Sequence, residues 1–253
     1  CEICAICGSS LTVRSNQTMR NSLVLITFGL ALLARQGIVA REGPIEWTID
    51  NLQRIGGHAV TVVGAPRVVQ TDKGLVVEFD GKGDGLLVGA NPLEGLARFT
   101  VEVLSQPAAD GGEEQRFVHF QEASGENRAL VELRLLNGRW ALDTFLRSPE
   151  PGLTLLDRAR THPAGEWHTA TLTYDGRTMA HAVDGRRELS GDVAFTPLGV
   201  GRTSIGMRQN RVSFFKGRIR SIRIAPAAEQ VIPLWPEGVP NAKAGGGDER
   251  LVD

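Results

Sequence analysis

GEWHTATLTYDGRTMAHAVDG, residues 165–185, holds two alternating apolar runs, each closed by an Asp-Gly pair. Asp-Gly between such runs signals a tight hairpin, because a two-residue type I′ loop needs positive φ at both central positions and glycine adopts it without steric cost. Asp175-Gly176 and Asp184-Gly185 meet that condition, and Asp80-Gly81 and Asn137-Gly138 meet it elsewhere. The chain is therefore expected to be built from short antiparallel strands.

Working outward, period-2 alternation predicts strands at 45–49, 59–63, 75–79, 99–103, 117–122, 130–136, 140–146, 169–174, 179–183, 205–208 and 218–224. Helical periodicity is nearly absent, and the one short helical turn expected is around 153–160. Beyond Pro226 the pattern stops: residues 232–240 (IPLWPEGVP) carry three prolines and 242–247 are small and Gly-rich, which reads as a linker or tail. This gives one all-β body over 41–226, a size that sandwiches reach as single domains, with a leader over 1–40 and a Pro/Gly-rich tail over 227–253.

The 28 Lys and Arg stand against 29 Asp and Glu, so charge points neither to nucleic acid nor to an acidic membrane surface as main partner. All three cysteines, Cys1, Cys4 and Cys7, precede the body, and no fourth Cys or nearby His follows to close a metal site. From Met19 a short positive segment leads into SLVLITFGLALL, residues 22–33, too short to span a bilayer but suited to the apolar core of a signal peptide. Residues 1–18 are then upstream read-through and 19–40 the signal, with cleavage after Ala40 or Ala34. Export to the periplasm or the outside is expected, with no stable membrane span after signal removal.

Five phrases in order carry a family resemblance: FDGKGDGLLV, ARFTVEVLSQP, GEWHTATLTYDG, MAHAVDGRRE and SIGMRQNRVSFFKGRIRSIRIAP. Together they resemble the LamG-like modules of the concanavalin A-like lectin/glucanase superfamily, over roughly residues 42–226. The resemblance implies a jelly-roll sandwich of two antiparallel sheets, often with a structural calcium, and a role as glycan binder, protein binder, spacer or polysaccharide-cleaving enzyme. For calcium, Asp80, Asp84 and backbone carbonyls are the oxygen candidates, but Arg220 follows Gly217-Arg218-Ile219 where many members carry an Asp. The tail phrase VIPLWPEGVPNAK is similar to the lead-in of secreted α/β-hydrolase esterases, which implies a downstream catalytic domain.

The catalytic patterns of the fold are incomplete. Glu78 and Asp80 share the alternate spacing of glucanase carboxylates, but Asp80 belongs to the FDG turn and the second glutamate has no counterpart. The VELR of 131–134, the VHFQ of 118–121 and the SFFKG of 213–217 resemble lyase strands, in the wrong order and without the base tyrosine. Tyr174, the only tyrosine, falls on the core side of its strand.

A binding face is easier to motivate. Glu132 and Arg134 alternate with Val131, Leu133 and Leu135, and His119 and Gln121 alternate with Val118 and Phe120, so each pair leaves its strand on one face. Trp140 could lie beside them as a flat plate for a sugar ring, or be a core residue. The expectation is a secreted, non-catalytic module that takes a polysaccharide or oligosaccharide at His119, Gln121, Glu132, Arg134 and Trp140. A glycosidase or lyase on the same face, and a protein-interaction or spacer module, stand as the alternatives. His168 is expected beside Trp167, and His181 as a buried, hydrogen-bonded imidazole.

Overall fold

A computed structural model describes residues 43–148 and 151–229. The three cysteines, the apolar segment after Met19 and the tail beyond 229 lie outside the described residues. The strands in chain order are β1 (Ile45–Thr48), β2 (Arg54–Ile55), β3 (His58–Val63), β4 (Arg67–Thr71), β5 (Gly74–Asp80) and β6 (Gly85–Val88). Then come β7 (Phe99–Pro107), β8 (Glu114–Glu122), β9 (Arg128–Leu136), β10 (Arg139–Arg147), β11 (Leu153–Leu156) and β12 (His162–Pro163). The last are β13 (His168–Tyr174), β14 (Thr178–Val183), β15 (Arg186–Asp192), β16 (Gly201–Ile205) and β17 (Lys216–Ala225).

They form two antiparallel sheets, as expected of a concanavalin A-like sandwich. The first runs β15-β14-β13-β7-β17-β5-β4, with β1 also on β17; the second runs β11-β10-β9-β8-β16-β6-β3-β2, with β12 on β10. The ten-residue β17 is long enough to pair with β5 through Lys216–Ile219 and with β1 through Ser221–Ile224 on one side, while β7 lines the other.

Alternation decides what fills the space between the sheets. Phe99, Val101 and Val103 of β7, Leu172 and Tyr174 of β13, and Ile222 and Ile224 of β17 meet Phe117 and Phe120 of β8, Val131 and Leu133 of β9, and Trp140 and Leu142 of β10. Phe117 packs edge-on to Trp140 at 5.8 Å and against Phe215 at 5.2 Å. Two polar side chains brought inside find partners: Tyr174 Oη donates to the Val193 carbonyl, and His181 Nδ1 lies 3.0 Å from Thr144 Oγ1, whereas the Ser105 hydroxyl has none.

Two of the four expected tight hairpins form. Asn137-Gly138 joins β9 to β10 with φ of 51° and 73°, and Asp184-Gly185 joins β14 to β15 with φ of 49° and 75°, both as type I′ geometry requires. Asp175 instead caps a longer loop, its Oδ1 accepting from the amides of Arg177 and Thr178. Asp80-Gly81 makes no hairpin at all, because β5 and β6 belong to different sheets. The helical turn expected around 153–160 is also replaced, since Leu153–Leu156 pairs with β10 as a strand. A four-residue edge strand carries too little alternation to be distinguished from a helical turn by pattern.

Leu172 is fully buried between the sheets. Leu172→Ala is expected to lower unfolding free energy by about 2–5 kcal/mol, from lost transfer energy plus the cavity left behind, measured by urea titration. A loss below about 0.5 kcal/mol would contradict this placement.

Candidate functional site

The outer face of the second sheet brings together four of the five residues expected to bind ligand. One irregularity makes this so. Between Arg116 and Val118 the β8/β9 register shifts, so that Arg116 stands opposite Glu132 while Val118 stands opposite Val131 and His119 opposite Leu130. The extra residue, Phe117, turns into the core, and Arg116 and His119 both emerge on the outside although they are three positions apart. The next registers set Gln121 opposite Arg128, Glu114 opposite Arg134 and Asp143 opposite Glu132.

Trp140 does not join them. It pairs with Leu135 on the inward-pointing side of β10, is fully buried, and donates its indole N–H to the Pro163 carbonyl at 3.1 Å. The aromatic plate expected from the sequence is a core residue, because Trp140 shares the parity of Leu142, whereas Ala141 and Asp143 face outward. His168 packs against this Trp140 at 5.5 Å and bonds Asp184, while Trp167 reaches Asp72 instead. The aromatic on the outer face is Phe145, under the Arg128 guanidinium at 5.0 Å.

The polar groups of the face are packed closely. Arg116 Nη1 is 2.6 Å from Glu132 Oε2, and Arg134 reaches Asp143 at 2.6 Å, Glu114 at 3.0 Å and Glu132 at 3.9 Å. Arg116 also pairs with Glu114. Glu132, Asp143, Arg116 and His119 are all buried. Burial pushes the Glu132 carboxyl up to about 8, with Asp143 and Glu114 adding to the rise and Arg116 and Arg134 opposing it. Asp143 is raised by burial and by Glu114, against the same two arginines. His119 is pushed down to about 3, first by burial and then by Arg208, Arg128 and Arg116, so its imidazole is neutral.

Two open depressions lie over this cluster. One, about 170 Å³, is lined by Arg116, Glu132, Arg134, Asp143, Phe145 and Arg208 among others; the second, about 320 Å³, is lined by His119, Gln121, Glu126, Arg128, Arg208 and Asn210 among others. At their base, Arg116 Nε, Arg128 Nε, His119 Nε2 and both Asp143 oxygens have no hydrogen-bond partner of good geometry. Arg116, Asp143, Arg128 and Arg208 were not expected from the sequence. The first two were open to parity, as the outward partners of Glu132. Alternation placed Arg208 at the end of a strand over 205–208, but β16 stops at Ile205 and the residue sits in the loop that follows.

A larger groove of about 740 Å³ lies on the other sheet, by Arg67, Glu78, Gln106 and Arg218. There the charges satisfy one another: Glu78 is 2.6 Å from Arg67 and 2.9 Å from Arg218, and Lys216 is 2.6 Å from Asp110. None of the buried orphaned atoms belongs to it. The smaller depressions, where polar groups remain unsatisfied, are the better site.

Asp80 and Asp84 do not fit a calcium site. Asp80 Oδ1 accepts from the amides of Lys82, Gly83 and Asp84, and Asp84 accepts from Ala65 on one oxygen and Asp80 on the other. Their carboxylates hold the sheet-to-sheet crossover closed, and no group of three or more His, Cys, Asp or Glu able to hold a metal occurs among the described residues. Arg220, where an Asp was wanted, reaches the Lys73 carbonyl.

Two outcomes follow from the buried charges. Glu132 binds its proton more tightly in the folded state, so its contribution is complete below about pH 4.5 and fades as pH rises through about 8. Between about pH 5 and 8 unfolding free energy is expected to fall by up to about 1.4 kcal/mol per pH unit, most steeply below about pH 7, a slope that Glu132→Gln removes and that melting curves across this range would detect. Arg134→Ala is expected to cost about 3–5 kcal/mol in chemical denaturation, because it leaves the buried Asp143 unpaired.

A profile of the concanavalin A-like lectin/glucanases superfamily, in its laminin G-type branch, matches residues 80–230, more than half of the chain. No curated protein matches. Among solved structures, domain 4 of an extracellular arabinanase from Geobacillus stearothermophilus, in complex with arabinotriose, superposes with a TM-score of 0.56 at 16% identity, over 74% of this chain and 93% of that one. The binding domain of botulinum neurotoxin DC in complex with SialylT gives 0.55 at 9% identity, and that of serotype D gives 0.52 at 14%, each over 74% of this chain and 48% of the toxin domain. The chain thus spans about half the length of those toxin domains. At such identities the likeness is one of fold.

Proposed function

The chain belongs to the concanavalin A-like lectin/glucanase superfamily, and from that premise we propose that it is a non-catalytic module which binds a polysaccharide or oligosaccharide on the outer face of its second sheet. One observation carries the reading: the buried Arg116 Nε, His119 Nε2 and Arg128 Nε, none with a hydrogen-bond partner, line the open depressions. Such atoms cost stability unless something satisfies them, and a ligand rich in hydroxyls offers donors and acceptors to both signs. The arabinotriose held by the arabinanase domain of the same fold supports the substrate class.

The leader supports export to the periplasm or outside, with 1–40 removed, 41–226 as the sandwich and 227–253 as a linker beside a polysaccharide- or ester-degrading partner.

A hydrolytic reading has Glu132 behind it, since a carboxyl still protonated near neutral pH is what a general acid requires. Its close contact with Arg116, and that of Asp143 with Arg134, weigh against free proton exchange. Pull-down on insoluble polysaccharides and glycan-array screening are expected to give binding without release of reducing ends or unsaturated sugars. Product release abolished by Glu132→Gln would replace this reading with an enzyme, and no binding to any glycan would remove it.

A further inference from the structure

The cations of this face are not neutralised evenly. Glu114, Glu132 and Asp143 are all taken up by Arg116 and Arg134. Arg128 donates to the Glu126 carbonyl at 2.9 Å and has only a distant carboxylate, Glu126 at 3.8 Å. The Arg208 guanidinium has no ion pair or hydrogen bond among the described residues. Both arginines line both depressions, so they stand where the two meet. The confinement is felt: burial and then the charge of Arg208 hold Arg128 below its usual range.

A third donor points the same way. His119 Nδ1 accepts the Gln209 amide at 3.2 Å, and the ring is neutral, so its one proton sits on Nε2. That N–H is buried and unpartnered, as is Arg128 Nε. Two like-charged guanidiniums and a neutral imidazole N–H, none with an acceptor to spare, describe a hole for an oxyanion.

We propose that the junction of the two depressions, between Arg128 and Arg208 with His119 beneath, binds an oxyanion carried on a sugar: the carboxylate of a uronic acid or a sulfate ester. This rests on the glycan-binding reading and narrows it to acidic glycans. The anion accepts from both guanidinium forks and from His119 Nε2–H, while the hydroxyls of the ring face Gln121 and Asn210.

The test is calorimetric titration of the full chain with trigalacturonate, a heparin-derived tetrasaccharide and neutral arabinotriose and cellotetraose. One or both acidic probes are expected to bind, more weakly as salt rises from about 50 to 300 mM, and at least about tenfold more tightly than the neutral ones. Whichever binds identifies the anion. Arg208→Ala should weaken that binding by about tenfold or more with an unchanged melting temperature, as a charge-assisted hydrogen bond lost from an unpaired side chain would. Arg208→Lys should recover part of it, and Arg67→Ala, on the other sheet, should change nothing. Neutral probes that bind as tightly as acidic ones, or full affinity in Arg208→Ala, would overturn the oxyanion hole and leave glycan binding standing. Failure of all four probes, followed by glycan-array silence, would overturn both.

Discussion

Phe117 is the position at which β8 carries one residue more than β9, and the composition of both faces of the second sheet depends on it. Under strict alternation, a strand that sends Arg116 outward would send His119 inward. The outer layer would gain Val118 and Phe120 in its place. The bulge resolves the conflict by spending one residue on the core. Phe117 joins Trp140 and Phe215 inside, and the polar alternation restarts outside at His119. Core packing and the candidate site are two sides of one register shift.

Most of the sandwich was legible because apolar parity is a strong constraint where one face must be dry. The long strands β7, β8, β9, β10, β13, β14 and β17 all contain the alternating segments expected of them. Less visible were β4 and β15, whose residues are largely exposed and therefore free of the pattern, and β2 and β12, which are two residues long. Asp-Gly marks a turn reliably but says nothing of whether the chain pairs back or crosses to the other sheet, and that is why Asp80-Gly81 misleads. Within the site, His119, Gln121, Glu132 and Arg134 followed from parity. Trp140 failed because an aromatic beside a turn suggests exposure by type, whereas its parity with Leu142 places it inside. Arg208 was misplaced, since alternation suggested a strand over 205–208 whereas β16 ends at Ile205 and the loop after it brings Arg208 to the face.

The concentration of charge on this face has little value for folding. Buried ion pairs lose much of their attraction to desolvation, and an apolar packing of similar volume is often as stable or more so. Arg134–Asp143 is such a pair, Arg116–Glu132 becomes one once Glu132 gives up its proton, and their cost rises with the orphaned atoms around them. By contrast, the Arg67–Glu78–Arg218 row on the first sheet is more exposed and fully partnered, as a solvated sheet face ordinarily is. Charge buried at a cost, beneath open depressions, is characteristic of binding surfaces.

Membership in the superfamily leaves that chemistry undetermined, since one sandwich serves many ligands. The arabinanase domain shares the fold at 16% identity, too little to carry any residue of its site across. What distinguishes this chain is the set of side chains its own register brings together. Aromatic plates are the common means of holding neutral sugar rings, and here the tryptophan is withdrawn into the core while Phe145 lies under Arg128. With stacking surface so limited, recognition of a glycan at the proposed site would rest on hydrogen bonds and charge. Arginine suits that task better than lysine because its planar fork fixes direction as well as sign. If the proposed glycan site is correct, a face that gives up its aromatic surface and keeps Arg128 and Arg208 so weakly paired would discriminate by charge and hydrogen-bond geometry more than by the apolar face of a sugar.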